Sequence, residues 1–540
     1  MSTESAKALF YLVVISALSI LFVGMAACGP EGHAQTTVPA EERRTISEKL
    51  VAQIDDSTLV KGSLAVSPDS RRLAYVAKAD AKAFVVVDGK EQKHYDDIGR
   101  TFPIFTYDEV CVGAPIFSPD SRRMVYVARE QEKWFVVVDG KEEKHYDDIG
   151  KGVPSLGAVL YMGTPIFSQD SRRLAYVAKV GEKMVVVVDG QEQKAYDDIG
   201  GGTLIFSPNS RRVAYAVAVG AKQSVVVDGK EGKPYDWIGA LLFSPDSRRV
   251  AYMAGVDGRK IVVVDGKKAK PYDGVAQGEG PSFWQGSPWV ADTFYGVVFS
   301  PDSRRVAYAA GAGARRLAVV DGKEEEYSGS LADDPVSLTD DPTFSPDSRR
   351  LAYAAWSRKN DSFVVVDGKK EKSYHHIAEG SVLFSPDSRR LAYMAQQDEK
   401  WCVVVDGKEE KPYDGIYFTT EINFGQWNEG PIFSPDSRRV AYIVAVGAKQ
   451  SVVVDGKEGK PYDGLTAGSL IFSPDSRRVA YGAKAGAKAF VVVDGKEGRS
   501  YDGLVKGTTI VFNSANALNY LADKRTIKGL DVYLVEETID

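Results

Sequence analysis

A heptapeptide, Phe-Ser-Pro-Asp-Ser-Arg-Arg or a near variant, recurs ten times along the chain, and nothing else in it constrains the fold as strongly. The copies begin at Val66, Phe117, Phe167, Phe206, Phe243, Phe299, Phe344, Phe384, Phe433 and Phe472. An Ala-Tyr or Val-Tyr pair follows each copy, and then a Val-rich run that closes in Asp-Gly. From that Tyr to that Asp the interval is 13 residues in nine copies and 14 in the seventh, Tyr353 to Asp367. Length varies between units and not inside them. A recurring unit of this size marks an architecture of stacked, similar modules. It overrides the expectation of three or four unlike domains that 540 residues would otherwise carry.

Each unit reads as four short strands. In the fourth copy, Gly201–Phe206 is an apolar run ended by a Ser-Pro turn, where Pro presets φ and the flanking polar side chains bond to nearby backbone. Val213–Val217 and the β-branched Ser224–Val227 form the second and third strands. Asp228-Gly229 supplies the pair of positive φ angles that a two-residue type I′ hairpin needs. Lys233–Asp236 follows as a polar outer strand, where Pro234 is tolerable because an edge has N–H groups to spare. Four antiparallel strands in 40 to 50 residues make the blade of a β-propeller.

The tail holds a degenerate eleventh unit. Ile510–Phe512, Leu518–Tyr520 and Val532–Val535 match the first three strands, and the chain then stops without a fourth. Leu50–Asp55 precedes Leu59-Val60-Lys61-Gly62, just as Tyr501-Asp502 precedes Leu504-Val505-Lys506-Gly507. The N-terminal strand is therefore expected to complete the last blade and cover its edge. The fold class is all-β, a β-propeller of about eleven blades over residues 46–540. Two arrangements fit: one large ring, or two propellers divided near 276–295.

The pattern Phe-Ser-Pro-Asp-Ser-Arg-Arg-x-Ala-Tyr followed by Val-Val-Val-Asp-Gly resembles the WD-repeat-like β-propeller family that includes the TolB propeller, over about residues 60 to 510. The resemblance implies the propeller fold and a place in the bacterial envelope. Two departures stand out. The family usually has Gly after Pro-Asp where this chain has Ser, as at Ser70, and the α/β domain that precedes the TolB propeller has no counterpart here. Fold alone does not carry function across.

Ala8 to Ala27 is an almost unbroken apolar run, preceded by Lys7 and ended by Met25-Ala26-Ala27-Cys28. Small residues before a cysteine resemble a bacterial lipoprotein signal, in which Cys28 would be lipidated. A retained membrane helix is the alternative, since the run is long for a signal segment. Residues 1–28 then form the signal or anchor and 29–45 a linker. Both readings export the rest and attach it to a membrane through its N-terminus.

In a propeller, the loops joining strands one to two and three to four share one face. Here that face carries ten Arg-Arg pairs and ten Asp-Gly turns. The arginines are expected to pair with the equally periodic aspartates; a basic ring for a polyanion is the other reading. The opposite face carries the connectors between blades, and these differ. Four are long and aromatic, with Phe105, Tyr107, Tyr161, Phe283, Trp284, Trp289, Tyr417, Phe418 and Trp427. Aromatic anchors dominate interface hot spots, so these nine residues are the candidate surface for a protein or peptide partner in the cell envelope, unless they pack on their own loops.

The net charge of −6 comes from 68 Lys+Arg against 74 Asp+Glu and points away from nucleic acid. Three cysteines exclude a disulfide scaffold. His94 and His145 hold the same unit position, His375 and His376 are adjacent, and none has metal-ligand spacing. No Gly-x-Ser-x-Gly elbow or phosphate-cradling loop is present. The expectation is a non-enzymatic scaffold without cofactor or metal. An enzyme or glycan-binding protein working in the central channel is the alternative, and a purely structural element a third.

Overall fold

The computed structural model describes residues 44–103, 109–112, 114–152, 161–162, 164–272, 296–312, 315–325, 337–338, 342–357, 361–416 and 430–539. They form eleven antiparallel blades of a β-propeller, and no helix occurs among the described residues.

Blade 4 shows how the sequence builds the unit. Its second strand, Val213–Val219, pairs with the third, Lys222–Val227, from Ala214↔Val227 to Val219↔Lys222. Asp228 and Gly229 have φ of 51° and 76°, the type I′ signature. The first strand is broken. Asp198–Ile199 and Ile205–Phe206 each pair with the second strand, and the chain leaves the ladder between them. Thr203 fills that gap: its hydroxyl donates to Gly200 O (2.6 Å) and accepts from Ala216 N–H (2.9 Å). Ser63, Ser381 and Ser469 do the same in blades 1, 8 and 10. The outer strand is also interrupted, with Lys230–Glu231 paired, Gly232 N–H bonded to Val225 O, and Tyr235 rejoining opposite Gln223.

The apolar core is divided into eleven wedges, one between each pair of neighbouring blades. Ala175, Val177 and Val186 of blade 3 pack on Val213, Tyr215 and Val226 of blade 4. Ala251, Met253 and Val262 of blade 5 pack in the same way on Val306, Tyr308 and Val319 of blade 6, across the connector where a division into two propellers would fall. The last wedge joins Leu521, Val532 and Leu534 of blade 11 to Leu73, Tyr75 and Phe84 of blade 1. The wedges run unbroken around the circle, so the blades form one ring.

The N-terminal strand closes it. Arg44–Asp55 pairs antiparallel with Gly529–Ile539, from Arg44↔Ile539 to Asp55↔Gly529, and becomes the outer strand of blade 11. The described residues between 44 and 539 supply all the strands of eleven blades and the eleven wedges between them, which closes the ring.

Candidate functional site: two unlike faces

The turn Ser-Pro-Asp-Ser-Arg-Arg is held by its own side chains. In blade 3 the Ser168 hydroxyl donates to Asp170 (2.6 Å), and its oxygen accepts from Arg173 N–H (2.9 Å). That hydroxyl, above all, keeps the Asp170 carboxyl below the usual carboxylate range. The second serine takes a left-handed backbone in every copy, with φ from 52° at Ser70 to 67° at Ser348 and Ser388. Serine thus holds a left-handed conformation that costs glycine nothing, and its hydroxyl has a use. Asp170 N–H donates to Ser210 Oγ of the next blade at 2.9 Å, and the same bond joins nine successive seams. At the closing seam Thr509 N–H donates to Ser70 Oγ at 3.0 Å.

The two arginines of each pair play different parts. The second is a clamp. Arg212 donates from Nε to Asp228 of its own hairpin (2.8 Å) and from Nη1 to Ser247 O (3.1 Å) and Arg248 O (3.0 Å) of the next blade. Its guanidinium lies 5.2 Å from the centre of the next blade's Phe243 ring, a cation–π contact. Equivalent stacking recurs from Arg72 on Phe117 to Arg439 on Phe472. For these arginines the expected pairing with aspartate holds. The first arginine points to solvent: Arg248, Arg304, Arg438 and Arg477 each keep 86% of the side chain exposed. Arg212→Ala should therefore cost about 1–3 kcal/mol, and Arg211→Ala less than about 0.5 kcal/mol; urea unfolding of the two variants makes the comparison.

On the opposite face the Asp of six Tyr-Asp pairs, Asp96, Asp147, Asp197, Asp236, Asp463 and Asp502, is a latch. Asp147 accepts from Lys133 Nζ (2.6 Å) of its own blade and from Gly181 N–H (2.6 Å) at the turn of the next. Lys133 first, then the Gly181 amide, hold its carboxyl below the usual range. The repeating carboxylates are turn and seam chemistry.

This connector face is also where apolar side chains meet solvent. Among the described residues five large hydrophobics are exposed: Leu50, Val180, Val219, Trp356 and Ile527. Val180, Val219 and Trp356 end second strands, and Ile527 lies in the turn between Ala517–Arg525 and Gly529–Ile539, so four of the five sit on the connector face. Sequence reasoning missed them because each follows an ordinary apolar strand. The turn position, one to four residues past the last buried residue of the second strand, is the signal that could have found them.

Of the nine aromatic candidates, Phe105, Tyr107, Phe283, Trp284, Trp289, Tyr417, Phe418 and Trp427 lie outside the described residues, as does Cys28. Tyr161 lies in the two-residue strand Tyr161–Met162, which pairs with Lys151–Gly152. Three histidines serve packing: His94 stacks on Phe84 at 4.2 Å and His145 on Phe135 at 4.1 Å, while His376 meets Trp401 edge-on; His375 Nδ1 accepts from Asp398 N–H at 3.2 Å. Cys402 is a buried free thiol, its pKa raised to about 11 by burial. Among the described residues no three His, Cys, Asp or Glu side chains converge as a metal site.

The fold places the chain among β-propellers, and solved structures of that kind resemble it. A eukaryotic initiation factor matches with 12% identity over 70% of this chain and 96% of the other, at a TM-score of 0.35. TolB from Acinetobacter baumannii matches with 15% identity over 53% of this chain and 77% of its own, at 0.22. The β-propeller domain of the Trilobed protease from Pyrococcus furiosus, described as having an open velcro topology, matches with 13% identity over 63% and 94%, at 0.23. Neither a family model nor a curated protein matches the chain. The resemblance is one of propeller fold.

Proposed function

We propose that this protein is a non-enzymatic scaffold, attached to the bacterial envelope through its N-terminus, that captures a protein or peptide partner on its connector face. The observation that carries this reading is the unequal distribution of apolar surface. Four of the five exposed large hydrophobics among the described residues lie on the face from which the long aromatic connectors of the sequence also emerge. The other face repeats its charged turns blade after blade. The four hydrophobics lie on blades 3, 4, 7 and 11, and it is their sharing a face with the long aromatic connectors that favours an interaction surface there. The recurrent carboxylates are engaged in turns and seams, which favours binding over catalysis.

The test uses the tagged full chain, cross-linked in envelope extract, against the variant Trp284→Ala, Trp289→Ala, Trp356→Ala and Trp427→Ala. The variant should melt within a few degrees of the parent and lose most of the captured partner, as hot-spot truncations do. Undiminished capture would remove the connector face from consideration.

A further inference from the structure

The first arginine of each pair has no structural task that the clamp arginine does not already perform. Nine of these ten, from Arg122 to Arg477, are exposed on one face of the ring. Arg71 is the exception, half-buried and paired with Glu536 at 2.8 Å. The aspartates of these turns are already engaged, while Glu143, Glu371 and Glu410 also reach the Asp-Gly turns of this face. The turn aspartates accept from Ser hydroxyls and backbone N–H groups, and the hairpin aspartates accept from the clamp arginines. Where an exposed arginine does approach its own turn aspartate, the separation is 3.7 to 4.0 Å. The ten Arg-Arg and Asp-Gly-Lys turn pairs hold 29 cationic residues against 19 aspartates; counting also the four glutamates that reach the same turns, Glu143, Glu371, Glu410 and Glu536, the balance is +6 in a chain of net charge −6. The ring is thus electrically polar, with its cationic face built by repetition.

The chain also leaves the ring on this face. Arg44 opens the outer strand of blade 11, and its guanidinium donates to Lys496 O (2.9 Å) in an Asp-Gly-Lys turn of blade 10. The apolar run Ala8–Ala27 ends 17 residues before Arg44. That distance in sequence spans at most about 60 Å of extended chain. A membrane segment there tethers the ring by its cationic side.

We propose that the exposed arginine ring rests on an anionic phospholipid surface, with guanidinium groups on lipid phosphates. The attachment fixes orientation: the connector face points away from the membrane, toward a partner. This rests on the envelope attachment in the proposed function and on no property of the connector face. Guanidinium matches phosphate by paired, charge-assisted hydrogen bonds. Cationic residues held within a Debye length of an anionic leaflet add their attractions together.

The chain from residue 29 lacks the apolar run and keeps every strand of the ring, so its binding reports the face alone. It should float with phosphatidylcholine vesicles containing phosphatidylglycerol at low salt, and not with phosphatidylcholine alone. Binding should weaken as salt rises. Replacing Arg122, Arg172, Arg211, Arg349 and Arg389 by Ser should weaken it about tenfold or more, with the melting temperature unchanged because these side chains are exposed. Four tryptophan substitutions on the connector side should leave it unchanged. Absence of binding to anionic vesicles, or equal binding by the fivefold variant, would overturn the proposal. Binding to soluble polyphosphate but not to vesicles would also overturn it, in favour of a free polyanion. Fractionation of the full chain with and without Ala8–Ala27 tests the attachment separately, and partner capture tests the connector face.

Discussion

Removing Arg44–Asp55 should open the ring, lower its stability by about 5 kcal/mol or more and leave an aggregation-prone edge. Three losses combine. The strand pairs with Gly529–Ile539 along nearly its whole length, and without it that strand presents a row of unpaired backbone groups. Ala52 and Ile54, both buried, leave the wedge between blades 11 and 1. The largest loss is electrostatic. The Glu537 side chain has no exposure, pairs with the Arg44 guanidinium and accepts from Tyr520 OH at 2.6 Å. Arg44→Ala, which keeps the strand over that carboxylate, should alone cost about 3–5 kcal/mol, and deletion of the strand loses the same ion pair while letting water reach Glu537. Glu48, on the same strand, accepts from Tyr501 OH (2.6 Å) and pairs with Lys524 (3.1 Å) and Arg499 (3.2 Å).

A point substitution attacks the same seam without shortening the chain. A Cβ at Gly529 would lie 2.1 Å from Ile54 O, so Gly529→Ala must push the N-terminal strand away. Both variants should melt earlier than the parent and elute partly as oligomers on size exclusion. A truncated chain that melts like the parent and stays monomeric would show that the strand adds nothing to closure.

The blade was legible in the sequence because its signals are local. Asp-Gly at fixed distance from Ala-Tyr predicts the hairpin, and φ values of 51° and 76° at Asp228 and Gly229 bear it out. Strand closure was legible for a similar reason, since the unit missing after Val535 is present before Leu59. The number of rings was not. Repeat spacing says what a blade is and nothing about the angle between blades, which the eleven wedges set through packing. The division of labour between adjacent arginines was equally hidden. Arg211 and Arg212 are the same residue type side by side, and only the left-handed Ser210 before them turns one outward and the other along the seam. The candidate site was half legible. The sequence pointed to the long aromatic connectors, eight of whose nine candidate residues lie outside the described residues, while Val180, Val219, Trp356 and Ile527 are recognisable only from their exposure at the turns.

The choice of Ser over Gly after Pro-Asp can be turned into the second large effect. Ser210 is buried, and its backbone sits at φ 63°, where a residue with a Cβ is strained by roughly 1 kcal/mol. The strain persists because the hydroxyl accepts the Asp170 N–H across the seam. Alanine keeps the strain and loses the bond to the part-buried Asp170 N–H, at about 1 kcal/mol. Glycine loses the same bond but relaxes the backbone, so it should cost less than alanine by roughly 1 kcal/mol. Ser121, Ser210, Ser303 and Ser388 lie at alternate seams and share no partner, so their effects should add. The fourfold Ser→Ala variant should lose about 4 kcal/mol, and the fourfold Ser→Gly variant distinctly less, as read from urea midpoints. If the alanine variant matched the parent, the hydroxyl would contribute nothing at the seam; a glycine variant equal to the parent would mean that the lost bond and the relieved strain cancel. If alanine and glycine fell together, backbone strain at the turn would carry no weight. A fall ordered alanine below glycine below parent requires both terms, and with them the conclusion that this ring is held on its arginine face by serine hydroxyls reaching from blade to blade.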